Sequence, residues 1–124
     1  MLDLGLSHEP AADGWSSALL FRLLADLAPG ARTALRYICE HAPAVGFDEV
    51  AAHLGQPIVD GRSTGQLGGT MTSLRAALRR IPGSPSSPVT RDSAARMYVI
   101  DEKIATLLRD AFAVADRQPQ LLRS

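Results

Sequence analysis

The chain has 124 residues, no net formal charge, 46% hydrophobic but only 5% aromatic residues, and a single cysteine, Cys39. That length suits one domain rather than a catalytic unit with a regulatory one beside it, and the aromatic-poor apolar content suits a core of Leu, Ala, Val and Ile built from packed helices. One cysteine excludes an intrachain disulfide, and zero net charge argues against a protein that coats nucleic acid. No apolar run reaches the ~20 residues of a membrane span, and "MLDLGLSHEPAADG" lacks the parts of a signal peptide, so a cytoplasmic protein with no membrane partner is expected.

Residues 1 to 14 lack periodicity and are expected to be a mobile tail before a single domain over 15 to 117, with 118 to 124 frayed. "WSSALLFRLLADL" repeats apolar side chains at helical spacing from Trp15 to Leu27, and Pro29-Gly30 is expected to end that helix. A second helix, about 31 to 42, sets Leu35, Ile38, Cys39 and Ala42 on one face before Pro43. "FDEVAAHLG" predicts a short helix with Asp48 and Glu49 in its first turn, where the helix dipole favours them, and Gly55 as its terminator. "QPIVDGRS", with Pro57 and Asp60-Gly61, predicts a loop.

The stretch "LGGTMTSLRAALRRI", capped by Ser63 or Thr64, predicts a helix over about 65 to 81 whose apolar stripe is Leu67, Met71, Leu74, Leu78 and Ile81. Its opposite face then carries Gly69, Thr72, Ser73, Ala76, Arg79 and Arg80, four of them small. A glycine inside a helix costs close to ~1 kcal/mol relative to alanine, so Gly68 and Gly69 ask what comes near them: a ligand surface, another helix or a second subunit. "PGSPSSP" is a linker. "VTRDSAARMYVI" predicts a hairpin with its turn at Asp92 to Ala95, pairing Arg91 with Arg96, Val89 with Tyr98 and Thr90 with Met97. A last helix runs from Asp101 to about Asp116.

Charge is unevenly spread. Residues 1 to 60 carry three arginines against eight acids, a net of −5, whereas 61 to 100 carry Arg62, Arg75, Arg79, Arg80, Arg91 and Arg96 against Asp92 alone, a net of +5. This asymmetry points to a polyanion as the partner of the middle segment.

The order of four helices, a hairpin and a helix, with the fourth helix and the hairpin basic, resembles the winged helix-turn-helix family over roughly residues 31 to 100. "FDEVAAHLG" is similar to that family's first motif helix, with Ala51 as the small residue under the second helix and Gly55 at the turn. The resemblance implies a mainly α fold with a small β-hairpin, a winged helix with extra N- and C-terminal helices. It further implies a recognition helix at about 65 to 81 in the major groove and a wing at about 89 to 100 on the backbone or minor groove. The connection after Gly55, roughly eight residues, is longer than the usual turn of about three to four.

The expected function is therefore a double-stranded DNA-binding protein, a transcriptional regulator, with Arg62, Thr72, Ser73, Arg75, Arg79, Arg80, Arg91 and Arg96 as candidate DNA contacts. A homodimer is a further expected partner, using apolar area on the first and last helices, Trp15 included. The alternative is a winged-helix interaction module that docks an acidic protein partner. Solvated surface arginines complementing a helix dipole would explain Arg79 and Arg80 without any ligand. Cys39, His8, His41 and His53 lack metal-ligand or nucleophile spacing, and no phosphate-binding glycine loop is present, so no enzyme, metal or cofactor is expected.

Overall fold

The apolar stripes of the sequence converge on one core in the computed structural model, which describes residues 5–81 and 83–123. Helix α1 (Ser17–Asp26) begins where the Ser16 hydroxyl accepts the Leu19 N–H at 3.1 Å. Helix α2 (Pro29–Glu40) starts two residues earlier than expected. Pro29, expected to stop the helix before it, opens this one, because a first-turn N–H has no intrahelical acceptor and the ring sets a helical φ. Strand β1 (Ala44–Gly46) leads directly into α3 (Phe47–His53), and Gly55, at φ +71°, turns the chain out of α3 as expected.

The expected loop contains a small hairpin of β2 (Ile58–Val59) and β3 (Arg62–Ser63), closed by Asp60 and Gly61 at φ +53° and +76°. Asp-Gly with both residues left-handed is the chemistry of a tight hairpin turn, which the loop expectation undervalued. Helix α4 (Gly65–Arg79) follows, capped by Thr64 accepting from Gln66 and ending two residues before the expected 81; of the expected stripe Leu67, Met71, Leu74 and Ile81 are buried and Leu78 is half-buried, with Ala77 buried beside them. Strands β4 (Val89–Asp92) and β5 (Met97–Ile100) form the expected hairpin, and α5 (Glu102–Arg117) starts at the Asp101 cap.

The chain is thus mainly helical with a small antiparallel sheet ordered β1-β5-β4, which contains one strand more than the expected hairpin. The hairpin register differs from expectation. Arg91 lies opposite Tyr98, Val89 opposite Ile100 and Thr90 opposite Val99, while Arg96 falls inside the turn at φ +54°. Two arginines directly opposite would repel. The Asp92 carboxylate instead accepts the Ala95 N–H at 3.0 Å, and the Arg96 carbonyl accepts the Phe47 N–H at 2.9 Å.

Residues 1–4 of the expected N-terminal tail lie outside the described residues. From there on, the Ser7 carbonyl accepts the Ala18 N–H at 3.0 Å, Ala12 bridges to Trp15, and the fully buried Trp15 donates Nε1–H to the Ser86 carbonyl at 2.9 Å. At the other end a 3-10 turn (Pro119–Leu121) brings the Arg123 N–H to the Ala25 carbonyl at 2.8 Å, and Arg32 donates to the carbonyls of Leu27 and Arg123. Arg32 and Arg123 therefore supply the positive charge that α1 lacks in its own last turn. Among the described residues no helix is long and apolar enough to cross a membrane.

Helix α5 packs against α1 and α2, and its Leu108 is fully buried. Leu108→Ala is expected to lower the free energy of urea unfolding by about 2–5 kcal/mol through lost burial and a residual cavity. A loss below about 1 kcal/mol would mean that this layer is not the core.

Candidate nucleic-acid interface

The residues of α4 that face outward form a straight stripe. Gly68, Thr72, Arg75 and Arg79 recur at spacings of four, three and four, and all are exposed. Their exposed side is turned toward Arg75, away from the face the apolar periodicity predicts. The reason lies in two residues of that expected face. Ser73 is half-buried and its hydroxyl accepts the Ala28 N–H at 3.1 Å, just ahead of α2, which has no side-chain cap of its own. Arg80 pairs with Asp26 of α1, Nε to Oδ2 at 2.6 Å.

Among the described residues the two glycines have no packing partner. A Cβ built on Gly68 or Gly69 meets nothing within 4 Å, which removes close packing by the first helix as the reason for them. Thr72 uses its hydroxyl on the Gly68 carbonyl at 3.0 Å, one turn back. The N-terminal half of α4 therefore presents bare backbone and short side chains, with the two arginines on its C-terminal half.

Beside this stripe stands the hairpin. Arg91 is exposed, its guanidinium lies 5.0 Å from the Phe47 ring centre, and Phe47 packs on Tyr98 with centroids 4.7 Å apart. Arg96 is engaged differently: Nη2 donates to Asp48 Oδ1 at 2.7 Å and approaches the Ser63 hydroxyl at 3.4 Å. Asp48 Oδ1 also accepts the Ser63 N–H at 2.6 Å. That amide, and after it the Arg96 guanidinium, hold the Asp48 carboxyl below its usual range. One carboxylate thereby links the first turn of α3, the entry to α4 and the turn of the hairpin. Arg62, on β3, is exposed at the same end.

The eight candidate contacts thus separate by what they already hold. Among the described residues Arg62, Arg75, Arg79 and Arg91 have no carboxylate within 4 Å, and Thr72 lies on the same face as the α4 pair, whereas Ser73, Arg80 and Arg96 are tied into the fold. Sequence reasoning missed Tyr98, 5% exposed at the junction of α4 and the hairpin. Its position follows from the true register, which sets it opposite Arg91.

Elsewhere, burial pushes the Cys39 thiol up to about 11, and its Sγ–H donates to the Arg36 carbonyl. A thiol in that state is not a nucleophile at neutral pH. The Tyr37 ring is stacked between His41 and His53, with centroids 4.0 and 4.2 Å away. Among the described residues no three His, Cys, Asp or Glu side chains gather as a metal site. Compared with family models, curated proteins and solved structures, the chain gives no match.

Two outcomes follow from this geometry. Gly69→Ala is expected to raise stability by up to ~1 kcal/mol, read as a higher melting temperature, because helix propensity improves and nothing is displaced; destabilisation would mean that something already packs there. Asp48→Asn is expected to lower stability at neutral pH. Because the folded-state carboxyl lies below its ordinary 3.8, its contribution is present above that value and is lost as pH falls through the lowered one. Urea midpoints of wild type and variant should therefore converge in acid, and a gap that persists there would contradict the role given to this carboxylate.

Proposed function

We propose that the protein is a winged helix-turn-helix DNA-binding protein, a transcriptional regulator that acts by occupying a duplex site. In this reading α3 and α4 are the motif helices, α4 lies in the major groove, and the β4–β5 hairpin is the wing on the backbone or minor groove. The observation that carries it is the stripe of Gly68, Thr72, Arg75 and Arg79 beside Arg91, where no guanidinium has a carboxylate partner within 4 Å among the described residues. The order of helices and strands and the sheet order β1-β5-β4 support it as well.

The physical fit is direct. A helix of 15 residues is about 22 Å long, enough to lie along a groove about 12 Å wide, and its bare N-terminal half lets the backbone approach a groove wall. Arginines on the adjoining half then reach either phosphates or the guanine edge, which a guanidinium can grip with two hydrogen bonds. The β2–β3 hairpin lengthens the motif's turn, and Asp48 fixes where it ends by holding Ser63 ahead of the Thr64 cap. A two-fold dimer that spaces two α4 helices by one DNA turn belongs to the same proposal, with an interface other than the buried Trp15.

Fluorescence anisotropy of a mixed-sequence duplex at several salt concentrations tests this reading. Wild type is expected to bind with a steep negative log-log salt slope, and Arg79→Ala/Arg91→Ala to flatten it by about 0.9 for each phosphate contact removed. Arg80→Ala, whose partner is Asp26, should leave the slope nearly as it was. Absence of wild-type binding at low salt would overturn the reading and favour an acidic protein partner for the same face.

A further inference from the structure

A cleft of about 80 Å3 lies between α4 and the β4–β5 hairpin, walled by Gly68, Met71, Arg75, Ser87, Arg91 and Tyr98. Its volume is on the scale of a few water molecules or one tetrahedral oxyanion, and a nucleobase does not fit. Tyr98 lines the cleft and is 5% exposed as a residue, while its hydroxyl, which no group among the described residues engages, is open to solvent rather than sealed in the core. Burial raises the phenol's pKa, and Arg91 and Arg75, on two different elements, are the charges that act against that rise. Among the described residues no acidic side chain lines the cleft. The groups that meet there are two guanidiniums, which have donors and no acceptor, and a phenolic O–H free to donate. What completes such a set is a compact anion with several acceptor oxygens.

We propose that this cleft is a phosphate seat, in which the Tyr98 hydroxyl donates to one phosphate group flanked by Arg75 and Arg91. The proposal rests on the reading of α4 and the hairpin as a DNA face, with a backbone phosphodiester as the source. A free phosphate offers the same oxygens. Gly68 matters because its missing side chain leaves the mouth of the cleft open from the α4 side. A group seated here touches helix and hairpin at once, so it fixes the angle at which α4 meets the duplex.

The test has two arms, each run on wild type, Tyr98→Phe and Arg75→Ala. Tyr98→Phe keeps the ring on Phe47, and Arg75→Ala changes an exposed residue outside the core, so at least one variant folds normally. The first arm titrates inorganic phosphate, with chloride at matched ionic strength as control, and follows the arginine Nε–H signals by NMR. The second measures duplex affinity and its salt slope. Tyr98→Phe is expected to weaken duplex binding about tenfold with the slope unchanged, since no charge is lost, and Arg75→Ala to flatten the slope by about 0.9. Shifts of Arg75 and Arg91 by inorganic phosphate that Tyr98→Phe abolishes support the seat. Without such shifts, weaker duplex binding by both variants still supports it, with the backbone as source. Phosphate binding without duplex binding supports the seat with a free phosphate as its ligand and overturns the DNA reading. Wild-type duplex affinity in both variants, with no response to inorganic phosphate, overturns the seat and leaves the DNA reading standing.

Discussion

The Asp48 carboxylate is the constraint on which the geometry of the basic face depends. Its Oδ1 receives the Ser63 N–H and an Arg96 Nη2–H, at 2.6 and 2.7 Å, so three segments far apart in sequence meet at one oxygen. Each of those segments is weak by itself. A hairpin with two residues per strand has almost no ladder to hold it, and a four-residue turn with a left-handed arginine is strained. Tied to the first turn of α3, they become fixed. The entry to α4 is set through Ser63 and Thr64, and the hairpin is set through Arg96, whose carbonyl also accepts the Phe47 N–H. The angle between α4 and the hairpin is therefore defined at its base, where solvent reaches the linkage, rather than deep in the core.

From that arrangement comes a division of labour among the arginines. Arg32, Arg36, Arg80 and Arg96 are structural. Arg32 caps the end of α1, Arg36 bridges Glu40 and Asp116 on α2 and α5, Arg80 joins α4 to α1, and Arg96 holds the hairpin turn. Exposed pairs of this kind contribute little stability singly, and their value lies in fixing geometry. Arg75 and Arg79 on α4, Arg91 on the β4–β5 hairpin and Arg62 on β3 are left without a carboxylate within 4 Å among the described residues, although Asp60 lies two residues before Arg62 and Asp92 directly follows Arg91 in sequence. A neutral protein can in this way present a positive face.

Much of this was legible in the sequence. The stripes of α4 and α5, the caps at Thr64 and Asp101, Ala51 under the core and Gly55 at its turn follow from periodicity and local hydrogen-bond chemistry. Strand β1 was not, because three residues between two helices carry no alternation to detect, and its pairing with β5 is decided by tertiary contacts. The register of β4 and β5 failed for a related reason. The turn is chosen by Asp92 closing on Ala95 and by the distant Asp48 drawing in Arg96, and only the first of these is local. The candidate contacts show the same limit. Helical geometry put Thr72 and Arg79 on the outward side of α4 but not Gly68 and Arg75, Ser73 and Arg80 are claimed by Ala28 and Asp26, and Tyr98 gains its significance only once its strand partner is known.

The most direct test of the central claim, that α4 and the hairpin form one nucleic-acid face, is a backbone amide map from two-dimensional NMR as duplex DNA is added. The account predicts that perturbed amides cluster at residues 68 to 79 and 89 to 98, with α1 and the outer side of α5 unchanged. Perturbations centred on α1, α2 or α5, or none at a duplex excess in low salt, would contradict it.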